Sequence, residues 1–217
     1  MPDDGGMQYW QQFGQYQQEQ EMGRYASDTG EMFEQAPTGN HVARCIALID
    51  LGTQHGEYQG RPNTRNQVLI RWELSNELMT DSKPFSVSRF YTNSLSEKAN
   101  LRKDLESWRG RAFTADELER FDLQTILGKP CMLNVVQNDK GRAVVSSIAT
   151  IPKGMSAPDC INAPFAFWID EWDDKVFESI PDGLKKIIAA SDEYKARGKP
   201  QTTQTAPAGS IDEEIPF

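Results

Sequence analysis

Phe85-Ser86-Val87-Ser88-Arg89-Phe90-Tyr91-Thr92-Asn93-Ser94-Leu95-Ser96-Glu97-Lys98-Ala99-Asn100-Leu101 contains the change of period that decides the fold. Phe85–Thr92 has the aromatic and β-branched content of a strand. Ser94-Leu95-Ser96-Glu97 then has capping-box spacing, and Lys98, Leu101, Leu105 and Trp108 recur helically until Gly110, which predicts a helix. Upstream, Val42–Leu51 reads as a first strand, apolar on both faces. Gly52–Asn66, with Gly56, Gly60, Pro62 and Asn63, reads as a loop. In Gln67–Leu74, a second strand, Val68, Ile70, Trp72 and Leu74 share one face while Leu69, Arg71 and Glu73 share the other. Asp81-Ser82-Lys83-Pro84 forms the turn into the third.

Downstream, Thr114-Ala115-Asp116-Glu117 is a second capping box, opening a short helix with Leu118 and Phe121 inward. Leu123, Ile126 and Leu127 add an apolar turn before Gly128. Cys131–Val136 reads as a fourth strand, Asn138-Asp139-Lys140-Gly141 as a tight hairpin turn and Arg142–Ile148 as a fifth strand. Three strands, a helical insertion and a hairpin is the order of the OB-fold, a five-stranded Greek-key barrel. The expected fold is therefore mainly β: this barrel over 41–150, a helical insertion between strands 3 and 4, and a C-terminal helical appendix over 151–196. A parallel α/β sheet fits less well, because only one connection is long enough for a crossover helix.

Charge is unevenly distributed. The net −9 divides into −6 over 1–40, +2 over 41–150, −4 over 151–196 and −1 over 197–217. Local patches set anion affinity, so the middle segment is the one suited to phosphates. Residues 1–40 form a leader rich in Gln and aromatics, Gln8–Gln18 above all, of a composition that favours disorder. Three cysteines, Cys45, Cys131 and Cys160, are far apart and suggest reduced thiols in a cytoplasmic protein. With His41 and His55 as the sole histidines, neither a metal site nor a cofactor is expected. No apolar run approaches the roughly 18 residues of a membrane span. Met1-Pro2-Asp3-Asp4-Gly5-Gly6 lacks the charged and apolar regions of a secretory signal.

Lys83-Pro84-Phe85, the run Glu97–Gly110 and Leu127-Gly128-Lys129-Pro130-Cys131 together resemble phage-encoded single-stranded DNA-binding proteins. The resemblance implies an OB-fold, single-stranded DNA as ligand and the cytoplasm of a phage-infected bacterium as location. Asp212-Glu213-Glu214-Ile215-Pro216-Phe217 resembles the acidic Asp-Asp-Asp-Ile-Pro-Phe tip of bacterial single-stranded DNA-binding proteins. That likeness implies docking of replication, recombination or repair enzymes. From composition alone the same residues would read as a solvated acidic end. The Thr-, Gln-, Ala- and Pro-containing stretch before them, within 197–217, reads as a flexible tether.

Binding a single strand requires cations for phosphates and flat rings for bases. The candidates are Arg44 on strand 1; Tyr58, Arg61 and Arg65 on the first loop; Arg71 and Trp72 on strand 2; Lys83 before strand 3; Arg89, Phe90 and Tyr91 on it; and Lys140 and Arg142 at the last hairpin. Alternation forbids Arg71 and Trp72 from sharing a face, and the apolar pattern assigns Trp72 to the core. On strand 3 the same rule opposes Phe90 to Arg89 and Tyr91, and the latter pair is expected outward. The alternating charges of Lys98, Arg102, Lys103, Asp104, Glu106 and Arg109 mark a solvated helix face.

In the appendix, Trp168, Trp172 and Val176 follow helical spacing, and Leu184, Ile187 and Ile188 mark an amphipathic helix. It is expected to pack on the barrel or to build a contact with a second copy. The acidic set Asp170, Glu171, Asp173 and Asp174 surrounds Trp172 as a helix surface would, so no enzyme is expected. A phage structural or assembly protein is the rival function, since a β-barrel does not by itself fix function.

Overall fold

The longest strands are built where the sequence shows the least alternation. The structure, a computed structural model, describes residues 34–58 and 60–197. β1 (Gly39–Tyr58) and β2 (Arg61–Leu78) form one antiparallel ribbon from Arg44↔Glu73 to Tyr58↔Arg61. The segment expected as a loop, Gly52–Asn66, is therefore paired strand. Its outer half is mostly solvent-exposed, so ladder hydrogen bonds rather than an apolar face hold it, and the sequence shows no period there. Gly60, at φ 74°, supplies the left-handed residue that a two-residue hairpin connection requires.

β3 (Pro84–Thr92), β4 (Pro130–Gln137), β5 (Ala143–Ala149) and β6 (Phe165–Phe167) complete a mainly antiparallel, six-stranded sheet. Its order is β3-β2-β1-β4-β5, and β6 pairs in parallel with Ala47–Ile49 of β1. β3 and β5, the ends of that order, approach within 8 Å between Cα atoms without ladder pairing among the described residues. The sixth strand replaces the helical start expected around Trp168. Phe167 and Ile169 enter one core while Ala166 and Trp168 pack against the other, so the period here is two.

Both faces of β1 are buried. Cys45 and Leu48 join a core with Val68, Ile70, Trp72, Leu74, Val87, Tyr91 and Leu133. Ala47, Ile49 and Leu51 join a second core with Leu69, Phe167, Ile169, Ile180, Leu184 and Ile188. Register shifts after Cys45 and after Asp50 let the strand bend between its partners. At the second shift Gly52 has φ +66°, and a Cβ there would lie 2.6 Å from Glu193 Oε2 and 2.9 Å from Ile169. Only glycine fits this approach.

α1 (Asn100–Arg109) closes the first core with Leu101, Leu105 and Trp108, the last with its ring 6.0 Å from that of Trp72. Trp108 Nε1 donates to Pro130 O at 2.8 Å. The capping box expected at Ser94–Glu97 does not start this helix, whose N-cap is Ala99. Ser94 instead closes a tight turn after β3, its N–H donating to Thr92 O and its Oγ accepting from Ser96 N. The second box does form: Thr114 and Glu117 cap α2 (Ala115–Glu119) reciprocally, and a 3-10 turn follows at Leu123–Ile126.

α3 (Asp174–Ser179), α4 (Asp182–Ala190) and α5 (Asp192–Arg197) cover the second core. Glu193 accepts bonds from Thr53 N (2.7 Å) and Thr53 Oγ1 (2.6 Å), fastening α5 to the ribbon. Among the described residues no helix is long and apolar enough to cross a membrane.

The outer face of β2 also carries Glu73, fully buried under the segment before β6. Ile161 N, Asn162 N, Asn162 Nδ2 and Ser75 Oγ donate to its carboxylate at 2.6–2.9 Å. Desolvation would raise its pKa, but these bonds to the charged form outweigh it and leave the group below its ordinary 4.5. A depressed folded pKa means that its contribution to stability is complete above about 4.5 and is lost as pH falls through the folded value. Glu73→Gln places an amide donor against backbone donors, and a loss of about 2 kcal/mol is expected in urea unfolding at pH 7. The gap between variant and wild type should narrow as the pH is lowered below 4.

Candidate nucleic-acid interface

On β2, alternation carries Arg61, Asn63, Arg65, Gln67, Leu69, Arg71 and Glu73 along one face, with no shift of register on that strand before Leu74. Across the ladder Leu69 pairs with Phe90, Arg71 with Ser88 and Glu73 with Ser86. Leu69 is covered by the second core and Glu73 by residues 161 and 162. Arg71 remains between them, with Phe90 opposite Leu69 at one end.

Arg71 is half-buried, and burial lowers its pKa from the ordinary guanidinium value. A guanidinium nonetheless stays charged at neutral pH. Its Nε donates to Ser88 Oγ at 3.2 Å, and among the described residues no carboxylate forms an ion pair with it. A partly desolvated cation without a counter-ion favours an anion that can reach it. Phe90 beside it is 49% exposed, a flat apolar ring facing solvent.

Strand 3 is thus turned over relative to the sequence-based expectation. Tyr91 is 3% exposed, in the first core, and its hydroxyl donates to Asp104 Oδ2 at 2.8 Å. Arg89 points the same way, 3.0 Å from the same carboxylate oxygen. Asp104, assigned by its neighbours' charges to a solvated face, is what makes an inward Arg89 and Tyr91 tolerable: it supplies the acceptor and the counter-charge. Desolvation, reinforced by the Asp104 charge, raises the Tyr91 pKa far above its usual value. Trp72 lies in the core, as alternation predicts.

The other candidates divide into committed and exposed groups. Arg44 is a staple: Nε donates to Pro158 O (2.6 Å), and its two terminal nitrogens donate to Gly128 O and Ala157 O (3.0 Å each). That leaves it little for a phosphate. Lys83 pairs with Asp81 at 2.7 Å in full solvent. Arg61 is exposed at the end of the ribbon, and Arg65 helps line a cleft of about 350 Å³ with Gln54, Asn63, Gln67 and Ile187. Lys140 and Arg142 are exposed at the β4–β5 turn. The side chain of Tyr58, the leader before residue 34, and Asp212, Glu213, Glu214, Ile215, Pro216 and Phe217 lie outside the described residues.

Ser88, Asn63 and Gln67 belong to this face and escaped the sequence, because small polar residues on a strand carry no signal of their own until register is known. A second cleft, of about 490 Å³, lies at the helical insertion between Trp108, Phe121, Ile126 and Lys129. Its two arginines are already paired: Arg109 and Arg111 both bond Glu117. Among the described residues no three His, Cys, Asp or Glu side chains gather as a metal site would need.

No family model, curated protein or solved structure matches this chain.

The reversed strand predicts a reversed pair of phenotypes. Tyr91→Phe should lower stability by about 1 kcal/mol through the lost hydroxyl bond to Asp104. It should leave affinity for nucleic acid as it was. Phe90→Ala should do the opposite, with unchanged thermal unfolding and weakened binding. Parallel melting curves and titrations of the two variants check the assignment.

Proposed function

We propose that this chain binds single-stranded DNA without sequence preference, along the outer face of β2 and β3. The single observation that carries this is Arg71, a half-buried cation without a carboxylate partner among the described residues, set beside the exposed ring of Phe90. Together they offer one phosphate contact and one stacking platform, the pair of features that a single strand uses and a closed duplex cannot. Arg65 and Arg61 lie farther along β2, beyond the covered Leu69, and offer further cations only to a strand that passes around the second core. Uniform phosphates and stackable bases give affinity without a code, which is why no sequence preference is proposed.

The sheet is proposed to be an OB-type barrel whose gap lies between β3 and β5. The ladder order β3-β2-β1-β4-β5 and the position of α1 between β3 and β4 support that assignment. The resemblance of three stretches to phage single-stranded DNA-binding proteins supports the same function. In this role the protein covers DNA during replication, recombination or repair in the host cytoplasm and catalyses no reaction. Partner enzymes dock on Asp212–Phe217, and the acidic tip competes with DNA for the cationic face.

Two measurements test this. Tryptophan fluorescence titrations with oligo(dT) and with duplex of equal length, at about 50 and 200 mM salt, should give tight, salt-weakened binding to dT and little to duplex. Arg71→Ala should cost about 1–3 kcal/mol and reduce the salt slope by about 1. Absence of dT binding at either salt sinks the proposal. Deletion of 211–217 should tighten dT binding, most at low salt, whereas equal affinities with and without it would exclude the competition.

A further inference from the structure

The segment 157–162 is fixed at both ends. Arg44 holds Ala157 O and Pro158 O at 3.0 and 2.6 Å, and Glu73 holds Ile161 N and Asn162 N at 2.7 and 2.9 Å. Ile161 is nonetheless left 60% exposed, more than any other large apolar side chain among the described residues. A side chain on so well-anchored a backbone points outward by construction, not through looseness of the chain.

Its position follows from the ladder. Glu73, Arg71 and Leu69 succeed one another on the outer face, opposite Ser86, Ser88 and Phe90. Arg71 therefore lies between Phe90 at one end and the Glu73-bound segment at the other, with roughly 13 Å of strand separating those ends. The segment also removes a liability. Without it Glu73 would present an uncompensated carboxylate one alternation away from Arg71, where a phosphate would be repelled. The segment supplies three of the four donors that surround that carboxylate, Ile161 N, Asn162 N and Asn162 Nδ2, beside Ser75 Oγ of β2 itself.

Resting on the reading that this face binds a single strand, we infer that residues 157–162 form the second wall of the groove, with Ile161 packing against a base or sugar of the strand that Arg71 and Phe90 hold. The occupant is a single strand because the site joins one cation with apolar surface on both sides of it. Splayed bases fill such surface, whereas stacked base pairs present only their edges. The appendix thus contributes to ligand binding as well as to the second core.

The native cysteines supply a footprint. Cys45 and Cys131 are fully buried, and burial pushes the Cys45 thiol up to about 12, so a thiol reagent reaches Cys160, next to Ile161. In the full chain, oligo(dT) should slow alkylation of Cys160 several-fold, and duplex of equal length should not. Ile161→Ser, at an exposed position, should fold normally and weaken dT binding about five- to tenfold. If wild type binds dT and Phe90→Ala weakens it, but Ile161→Ser and Cys160 labelling are both unaffected, the second wall is overturned while the function stands. If wild type fails to bind dT, the function falls and the wall with it. Protection of Cys160 that rises with protein concentration in the absence of DNA overturns the wall in favour of a contact between copies.

Discussion

β1 is buried on both of its faces, and the rest of the molecule is arranged to satisfy that one strand. Cys45 and Leu48 supply one core, and Ala47, Ile49 and Leu51 supply the other. Each leucine or isoleucine among them contributes about 1.5–3 kcal/mol when fully buried, so neither face tolerates solvent. A single barrel would cover only one of them. The other is covered by β6 and three short helices, none of them long enough to be stable alone. The appendix is thus a structural requirement of the first strand, and Arg44 on that strand sets the path by which the chain reaches it.

Covering the second face also shapes what remains open. Leu69 is taken up by the second core and Glu73 by residues 161 and 162, which leaves Arg71, Ser88 and Phe90 as the accessible stretch of the β2–β3 face. The site is defined less by its own residues than by the limits of what packs around it. The same packing accounts for the charge of Arg71: the nearest carboxylate on its face is occupied by amide donors and is not available as a counter-ion.

Much of the fold was legible because period and capping are local. The three-strand, helix, hairpin order, the inward Trp72 and the Thr114–Glu117 box all follow from residues a few positions apart. What was not legible depended on distant partners. Tyr91 and Phe90 look interchangeable as groove aromatics until Asp104 is seen to receive the tyrosine hydroxyl. The ribbon from Gly52 to Asn66 reads as a loop because backbone pairing without a core leaves no apolar pattern. Phe165–Phe167 alternates, but only between two cores that the sequence does not reveal as separate. Of the candidate site, Arg71 and Phe90 were found by residue type. Arg44, Arg89 and Tyr91 were drawn away by acceptors that no spacing rule predicts.

The parallel pairing of Ala47–Ile49 with Phe165–Phe167 has a consequence for how the chain is made. During synthesis β1, β2 and β3 emerge early, yet the face bearing Ile49, Leu51 and Leu69 has no cover until Ile188 has left the ribosome. Closing a loop of that span costs entropy before any contact rewards it, so this step belongs to the slow class of non-local β pairings. Through that interval the nascent sheet presents an apolar surface and an unpaired edge to its neighbours. A chain stopping near residue 150 would keep that apolar surface and unpaired edge uncovered and would be prone to aggregate.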